Sequence, residues 1–335
     1  MIKMATFGTI IALKGHLMKL HIREEFAFLA GFADLLGTEV KNGILVIPDN
    51  KGKGYLRGFR LENSINMLLS FYEYNENVLA KRLGGQNTLN RILFSFNNIF
   101  PDADSKNKYS GNLPSIQIFK GKLNIETFYP GRTKFNSIFI GIDSDKLAKT
   151  LGVNVDNEIF RNIITSEQSI LFEELLSPKI QQVAIEIIQT DVPDSLTDFF
   201  FKIKAEELIC LTLKELFKRE NPTTHALNQI DVQKIYKVRD LILNNIAVAP
   251  VIKHLASEVG MSESKFKRLF KQIFGDSLFS YYQKFRMKEA SRLLKENKMT
   301  VSEVGFKMGF SNLSHFAKAF EEHIGIKPKS FQKLK

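Results

Sequence analysis

The chain has 335 residues, 44% of them apolar, and a formal charge of +11, which allows two or three cored domains and excludes a disordered chain. Its one cysteine, Cys210, excludes an internal disulfide and any cysteine-based metal cluster, and no apolar run is long enough to span a bilayer. The charge is unevenly placed: residues 228–335 hold 20 Lys+Arg against 10 Asp+Glu, whereas the first 227 residues hold 27 against 26. The last third therefore has the electrostatic footprint of a polyanion binder. The short apolar stretch at residues 6–13 reads as neither a signal peptide nor an anchor, so the expected location is cytoplasmic.

In chain order, a helix is expected at residues 24–36, ended by Gly37, and then strands at 44–48, 65–74, 89–96, 116–128 and 135–142. Each run is apolar or alternating and is bounded by Asn, Gly, Pro or Asp. This predicts a β-rich domain over residues 1–155, a small barrel or sandwich. From residue 156 the apolar spacing turns helical, with helices expected at 159–164, 166–176, 178–189 and 195–219 and a helical connector over 156–220. Cys210 lies beside Leu208, Ile209, Leu211 and Leu213 and reads as buried core. Leu196, Phe199, Phe200, Ile203, Leu208, Leu211 and Leu216 are more than one helical stripe needs, which predicts a homodimer contact; packing on the sheet is the other outlet. Residues 220–225, polar and proline-containing, read as a linker.

Beyond the linker a helix is expected at 227–243, with Pro250 as the first helical residue of the next. The same short pattern then occurs twice. The first copy runs from Ile252 through Gly260 and Ser262 to Phe266, Phe270 and Gly275; the second runs from Val301 through Gly309 and Ser311 to Phe316, Phe320 and Gly325. The copies are offset by 49 residues up to the turn glycine and by 50 after it. A short helix, a glycine turn, a serine cap and a second amphipathic helix make a helix-turn-helix, expected here at about 252–275 and 301–325. Ser262 and Ser311 stand where the caps of the second helices belong, and Thr300 with Glu303 has the form of a capping box. Phe266, Leu269, Phe270 and Ile273 form one buried stripe, and Phe316, Ala319, Phe320 and Ile324 its counterpart. The remaining faces present Ser264, Lys265, Lys267, Arg268 and Lys271 in the first copy, and Asn312, Ser314, His315 and Lys318 in the second, as candidate DNA contacts. Arginine bonds guanine O6 and N7 in a bidentate fork, so Arg268 is the strongest candidate for reading a base. Residues 278–296 read as one continuous helix with Lys284, Lys288, Arg292 and Lys295 on its polar side, a strut of about 28 Å at 1.5 Å per residue. With helix widths added it matches successive major grooves about 34 Å apart.

These residues resemble the AraC/XylS-type transcription regulators over 228–335. The likeness is carried by Leu269–Gly275, Tyr282, Arg286, Ala290, Leu293, Leu294, residues 304–311, Phe316, Phe320, Gly325 and Pro328. Phe331 and Gln332 stand where that family usually has tyrosine and arginine. Residues 129–151 and 176–216 are more weakly similar to the PchR-like branch. The resemblance implies an α+β chain with an N-terminal β-rich, barrel or cupin-like domain, and a C-terminal all-α domain of two helix-turn-helix units joined by a long helix. It implies double-stranded DNA and RNA polymerase as partners, and a small-molecule effector.

Other chemistry is poorly provided for. No histidine lies between Ile22 and Thr224, so a cupin-type metal site is not expected, and there is no phosphate-binding loop. Asp143 and Asp145 read as loop and cap residues. No metal, cofactor or catalytic residue is expected, and no membrane contact. Tyr55, Phe59, Phe71, Tyr72, Phe94, Phe96, Phe119 and Phe128, with Arg57, Arg60 and Arg132, are either core or the lining of a pocket for an anionic aromatic effector. Two alternatives to an effector-controlled regulator remain: an architectural DNA-binding protein without sequence preference, and an enzyme tethered to DNA.

Overall fold

The computed structural model describes residues 8–12, 27–62, 64–83, 90–100, 114–121, 125–152, 157–219, 225 and 227–334. It divides into two compact units, Met1–Ile230 and Asp231–Lys335.

The first unit opens with β1 (Gly8–Ala12) and α1 (Ala27–Leu36); residues 24–26 of the expected helix lie outside the described residues. Next come β2 (Val40–Lys41), β3 (Ile44–Val46), β4 (Gly52–Glu62), β5 (Ile65–Tyr74), β6 (Val78–Leu83), β7 (Arg91–Asn97), β8 (Ser115–Lys120), β9 (Ile125–Tyr129) and β10 (Lys134–Asp143). The unit is completed by α2 (Ser144–Leu151), α3 (Glu158–Thr165), β11 (Ile170–Leu175), α4 (Pro178–Gln189) and α5 (Thr197–Leu216). Eight strands form one antiparallel sheet in the order β11-β8-β7-β10-β5-β4-β3-β2, and β1-β6-β9 form a second. The β-rich expectation thus takes the form of two sheets, the larger with edge strands at both ends.

Side chains alternate across a strand, and the alternation here separates two cores. Phe59, Leu61, Ile65, Met67 and Leu69 share one face with Ile92, Phe94, Phe96, Ile138, Ile140 and Ile142, and that face is covered by apolar residues of α3, α4 and α5. On the other face Leu56 and Tyr74 meet Leu29, Ala33 and Leu36 of α1. There Tyr129 of the smaller sheet lies edge-on to Phe135 at 4.7 Å and to Tyr72 at 5.7 Å.

Several elements differ from the sequence expectation. Residues 166–176 form β11, not a helix: Ile170 and Phe172 enter the core, and pairing with β8 satisfies a backbone that polar residues 166–169 could not have carried into a helix. The run 116–128 breaks into β8 and β9 at Gly121, whose φ of +98° and close approach to Ser169 suit only glycine. Strand β4 was not expected because three glycines and four charged residues hide its alternation; at Gly54 a Cβ would stand 2.1 Å from the carbonyl of Phe71. Strand β6 was missed too, and the stretch 44–48 is strand only to Val46. Cys210 is exposed, not buried. Phe201, Ala205, Leu208, Ile209, Thr212, Leu213 and Leu216 take the inward positions of α5, and successive helical residues turn by about 100°, so apolar neighbours in sequence did not fix its face.

The second unit is all helical: α6 (Gln229–Asn244, beginning just before the unit boundary), α7 (Ile252–Glu258), α8 (Glu263–Phe274), α9 (Leu278–Lys295), α10 (Val301–Lys307), α11 (Leu313–Ile324) and α12 (Pro328–Lys333). Pro250 is not the first helical residue: α7 starts at Ile252 with Val251 as its cap. Among the described residues no helix is long and apolar enough to cross a membrane.

Candidate nucleic-acid interface

Each repeat folds as a helix pair around a left-handed glycine. In the first, Gly260 at φ +59° turns α7 into α8, whose N-cap Ser262 accepts from the amide of Lys265. In the second, Gly309 at φ +80° turns α10 into α11. The capping box at the start of α10 is formed in both directions, Thr300 Oγ1 accepting from the amide of Glu303 and the Glu303 carboxylate from the amide of Thr300. The cap of α11 is Asn312 and not Ser311: its side-chain oxygen accepts from the amides of Ser314 and His315. The residue inserted after Gly309 thus lengthens the turn before the cap, and the 50-residue offset already holds there.

The aromatic stripes are inward. Phe266, Leu269, Phe270 and Ile273 are buried, as are Phe316 and Phe320, while Ala319 and Ile324 are half-buried. Both pairs are braced by α9, which packs against α8, α10, α11 and α12. Its 18 residues span about 27 Å. Tyr282 of α9 donates its hydroxyl to the carbonyl of Ile246 at 2.9 Å. Arg286 is buried and donates Nε and Nη2 to the carbonyl of Met308, at 2.9 and 2.5 Å, while lying 4.8 Å from the Tyr282 ring and 4.0 Å from that of Phe310. It ties the strut to the last turn of α10, one residue before Gly309. Gly305 lets α10 approach α11 closely, since a Cβ there would lie 2.8 Å from Leu313 Cδ2.

The polar side of α9 is less exposed than its sequence suggests. Lys288 is half-buried, and burial lowers its ammonium to about 8. Arg292 pairs with Glu289 at 2.6 Å and with Glu296, and Lys284 with Asp276 at 2.7 Å. Lys295 and exposed Lys333 flank α12, where Phe331 lies edge-on to Phe320 at 5.4 Å and Gln332 donates to the carbonyl of Met299 at 2.8 Å.

Of the candidate contacts, Ser264, Lys267, Arg268 and Lys271 form one exposed stripe of α8 at i, i+3, i+4 and i+7, opposite Phe266 and Phe270. Arg268 and Lys271 have no hydrogen-bond or ion-pair partner among the described residues. Lys267 lies 3.6 Å from Glu263. Lys265 sits on the flank, half-buried, with Asp231 of α6 at 2.8 Å. On α11, Ser314, His315 and Lys318 are exposed, Lys318 lying 4.0 Å from Glu322, and the side-chain oxygen of Asn312 is taken by the cap. An asymmetry follows that the repeat pattern conceals: α8 carries four cations and one carboxylate, α11 one lysine and two carboxylates. At the 50-residue offset, Lys267 and Lys271 are replaced by Ala317 and Glu321.

In the first unit, Phe59, Phe94, Phe96 and Phe119 are core residues, and Phe71 stacks on Tyr55 at 5.5 Å. The side chain of Phe128 lies outside the described residues. Arg132 is exposed on a turn at φ +58°. Among the described residues no group of three or more His, Cys, Asp or Glu side chains could hold a metal ion.

Two helix-turn-helix units on one bracing helix define the class of the second unit. Residues 255–334 match the model of a helix-turn-helix domain. The regulatory protein PchR of Pseudomonas aeruginosa is 31% identical over 123 residues, 36% of this chain and 42% of PchR, so the match spans less than half of that relative. The Msm operon regulatory protein of Streptococcus mutans is 22% identical over 233 residues, 68% of this chain and 78% of that one. Among solved structures, an AraC-type transcriptional regulator from Chromobacterium violaceum aligns with 31% of this chain and 94% of its own at 28% identity and a TM-score of 0.29. The second unit is an AraC-type helix-turn-helix domain, and through it the chain belongs to the AraC-type regulators.

Proposed function

We propose that the chain is a sequence-specific regulator of transcription that reads double-stranded DNA with α8 and α11 in two successive major grooves. The observation that carries this is the exposed α8 stripe, in which Arg268 and Lys271 are uncommitted within the protein, set on a strut of about 27 Å that also holds α11. In this reading Arg268 reads a base, Lys267 and Lys271 meet phosphates, and Ser264 and Lys265 flank them. On α11, Asn312, Ser314, His315 and Lys318 make shorter-ranged contacts, so that α8 supplies most of the phosphate attraction and α11 mainly register.

The first unit, nearly neutral and fully cored, is proposed to bind a small-molecule effector. Leu196, Phe199 and Ile203, 52%, 65% and 45% exposed along one side of α5, are proposed to meet a second copy of the chain, and RNA polymerase to be the partner through which bound DNA is acted on. Selection of sequences bound by the full-length protein from random DNA tests the reading. A regulator prefers its site by about 10³-fold or more, whereas an architectural protein binds all duplexes alike. Arg268→Ala is expected to cost about 1–3 kcal/mol and relax preference at one base position, and Lys271→Ala to weaken all sequences equally and flatten the salt dependence. No enriched sequence, or an Arg268→Ala protein of unchanged affinity and preference, refutes it.

A further inference from the structure

A cleft of about 390 Å³ opens on the first unit, lined by Asn42, Arg57, Gly58, Phe59, Arg60, Thr197 and Asp198. Three segments meet there. Asn42, at φ +51°, forms the β2–β3 turn, which is held to β4 by the Gly58 amide donating to the Gly43 carbonyl at 2.9 Å. Strand β4 supplies Arg57 to Arg60, just before its pairing with β5 slips between Arg60 and Glu62, the kind of bulge that re-aims side chains beside binding sites. Gly58 places no side chain between the two guanidinium-bearing residues. The first turn of the 20-residue helix α5 supplies Thr197 and Asp198, and no side chain caps its N-terminus.

Arg57 is already oriented: its guanidinium lies 4.8 Å from the ring centre of Phe59 and 5.9 Å from that of Phe201. It has no carboxylate partner among the described residues, Asp198 included. A guanidinium held on aromatic faces with its fork unfilled is suited to bidentate capture of a carboxylate. The lining is not purely cationic, however. The carboxylate of Asp198 accepts only, and the Thr197 hydroxyl already donates to the carbonyl of Pro193 at 3.2 Å, leaving lone pairs towards a ligand. An anion alone would satisfy the arginines and face an unpaired carboxylate; a ligand carrying both an anionic group and a hydrogen-bond donor satisfies both walls. The volume lies within the ordinary range for small-molecule sites, about 300–1,000 Å³.

We infer that this cleft binds a small carboxylic acid that also bears a hydroxyl or amino group, its carboxylate on Arg57 and Arg60 and its donor on Asp198. The inference deepens the proposed sensing role of the first unit and rests on that reading for its biological use. A ligand there joins the β-sheet to the start of α5, and α5 runs about 30 Å to Arg219, which is held to Glu174 at 2.6 Å and to the carbonyl of Glu173 at 2.7 Å just ahead of the linker.

The test uses the full-length protein titrated with L-malate, L-tyrosine and 4-hydroxyphenyllactate, each beside its methyl ester, by thermal shift and calorimetry. At least one acid is expected to bind saturably while its ester does not. Arg60→Gln and Arg57→Lys, the latter keeping charge and packing but losing the fork, are each expected to weaken that acid by about tenfold or more, as loss of a charge-assisted bond implies. Asp198→Asn is expected to reduce the preference for L-malate over succinate. Binding by none of the acids, equal binding by the esters, or binding undiminished in both arginine variants overturns the inference. The regulator reading fails separately: an acid held in the cleft of a protein that enriches no DNA sequence removes that reading and leaves the site. Sequence-selective DNA binding by a protein that takes none of the acids does the reverse.

Discussion

Gly260 and Gly309 occupy equivalent positions of the two repeats, both with positive φ, +59° and +80°, yet alanine at the two positions should differ sharply in cost. Each substitution forces a Cβ into the left-handed region at about 1–2 kcal/mol, offset in part by a less flexible unfolded chain. At Gly260 nothing else opposes it, since the nearest atom to the new Cβ is the mobile Lys234 ammonium at 3.6 Å. At Gly309 the Cβ would lie 2.1 Å from the carbonyl oxygen of Ala247 and 2.8 Å from its Cα. That backbone must retreat by more than 1 Å to restore ordinary contact, an order-of-magnitude distance set by van der Waals packing. The retreat drags Ile246, whose carbonyl holds the Tyr282 hydroxyl, and loosens Met308, the acceptor of Arg286. Losing one buried hydrogen bond costs about 1–3 kcal/mol. Gly309→Ala should therefore destabilise the second unit by about 3–5 kcal/mol against about 1 kcal/mol for Gly260→Ala, a gap of at least 10 °C in melting temperature for a domain of this size. Urea unfolding of the full-length variants, with the second unit followed by amide exchange, measures both. Values within 1 kcal/mol of each other would refute the close-approach argument.

Arg286→Met should lower the stability of the second unit by about 2–3 kcal/mol, from two charge-assisted bonds and two ring contacts less the regained desolvation cost; an unchanged exchange profile in α10 and α11 would count against the tie. Insertion of one alanine after Lys288 turns one helix pair by about 100° relative to the other and should abolish two-groove protection in footprints while leaving helix content unchanged; retained protection would make the second pair structural only. Glu62 is held at about 2 by Lys146 and Lys202. A carboxylate whose pKa is lowered on folding stabilises above its unfolded value and loses that contribution as pH falls towards its folded one. Glu62→Gln should therefore weaken the first unit at pH 6, and the gap to wild type should close between about pH 4.5 and 2, as urea midpoints will show; a gap that persists at the acid end would refute the assignment.

Much of the second unit was readable in the sequence because its determinants are local. The i, i+3, i+4, i+7 apolar spacing around Phe266 and Phe316, the Thr300–Glu303 box and the left-handed glycines act within one or two helical turns, so α8, α9, α10 and α11 lie where periodicity places them. The exposed stripe of Arg268 and Lys271 follows from the same period. The first unit was less legible because strands are completed by partners far along the chain. Residues 170–175 became β11 through pairing with β8, β4 was hidden by glycines that exist to let β5 approach, and Cys210 faced outward because its helix offered seven better-placed side chains to the core. Tertiary packing alone decided three further features. The Ala247 backbone beside Gly309 makes two equivalent glycines unequal, the buried grip of Arg286 on Met308 makes a conserved-looking surface cation a brace, and the meeting of β4 with the start of α5 opens the cleft between Arg57 and Asp198. Each depends on atoms brought together from distant sequence, which no local spacing encodes.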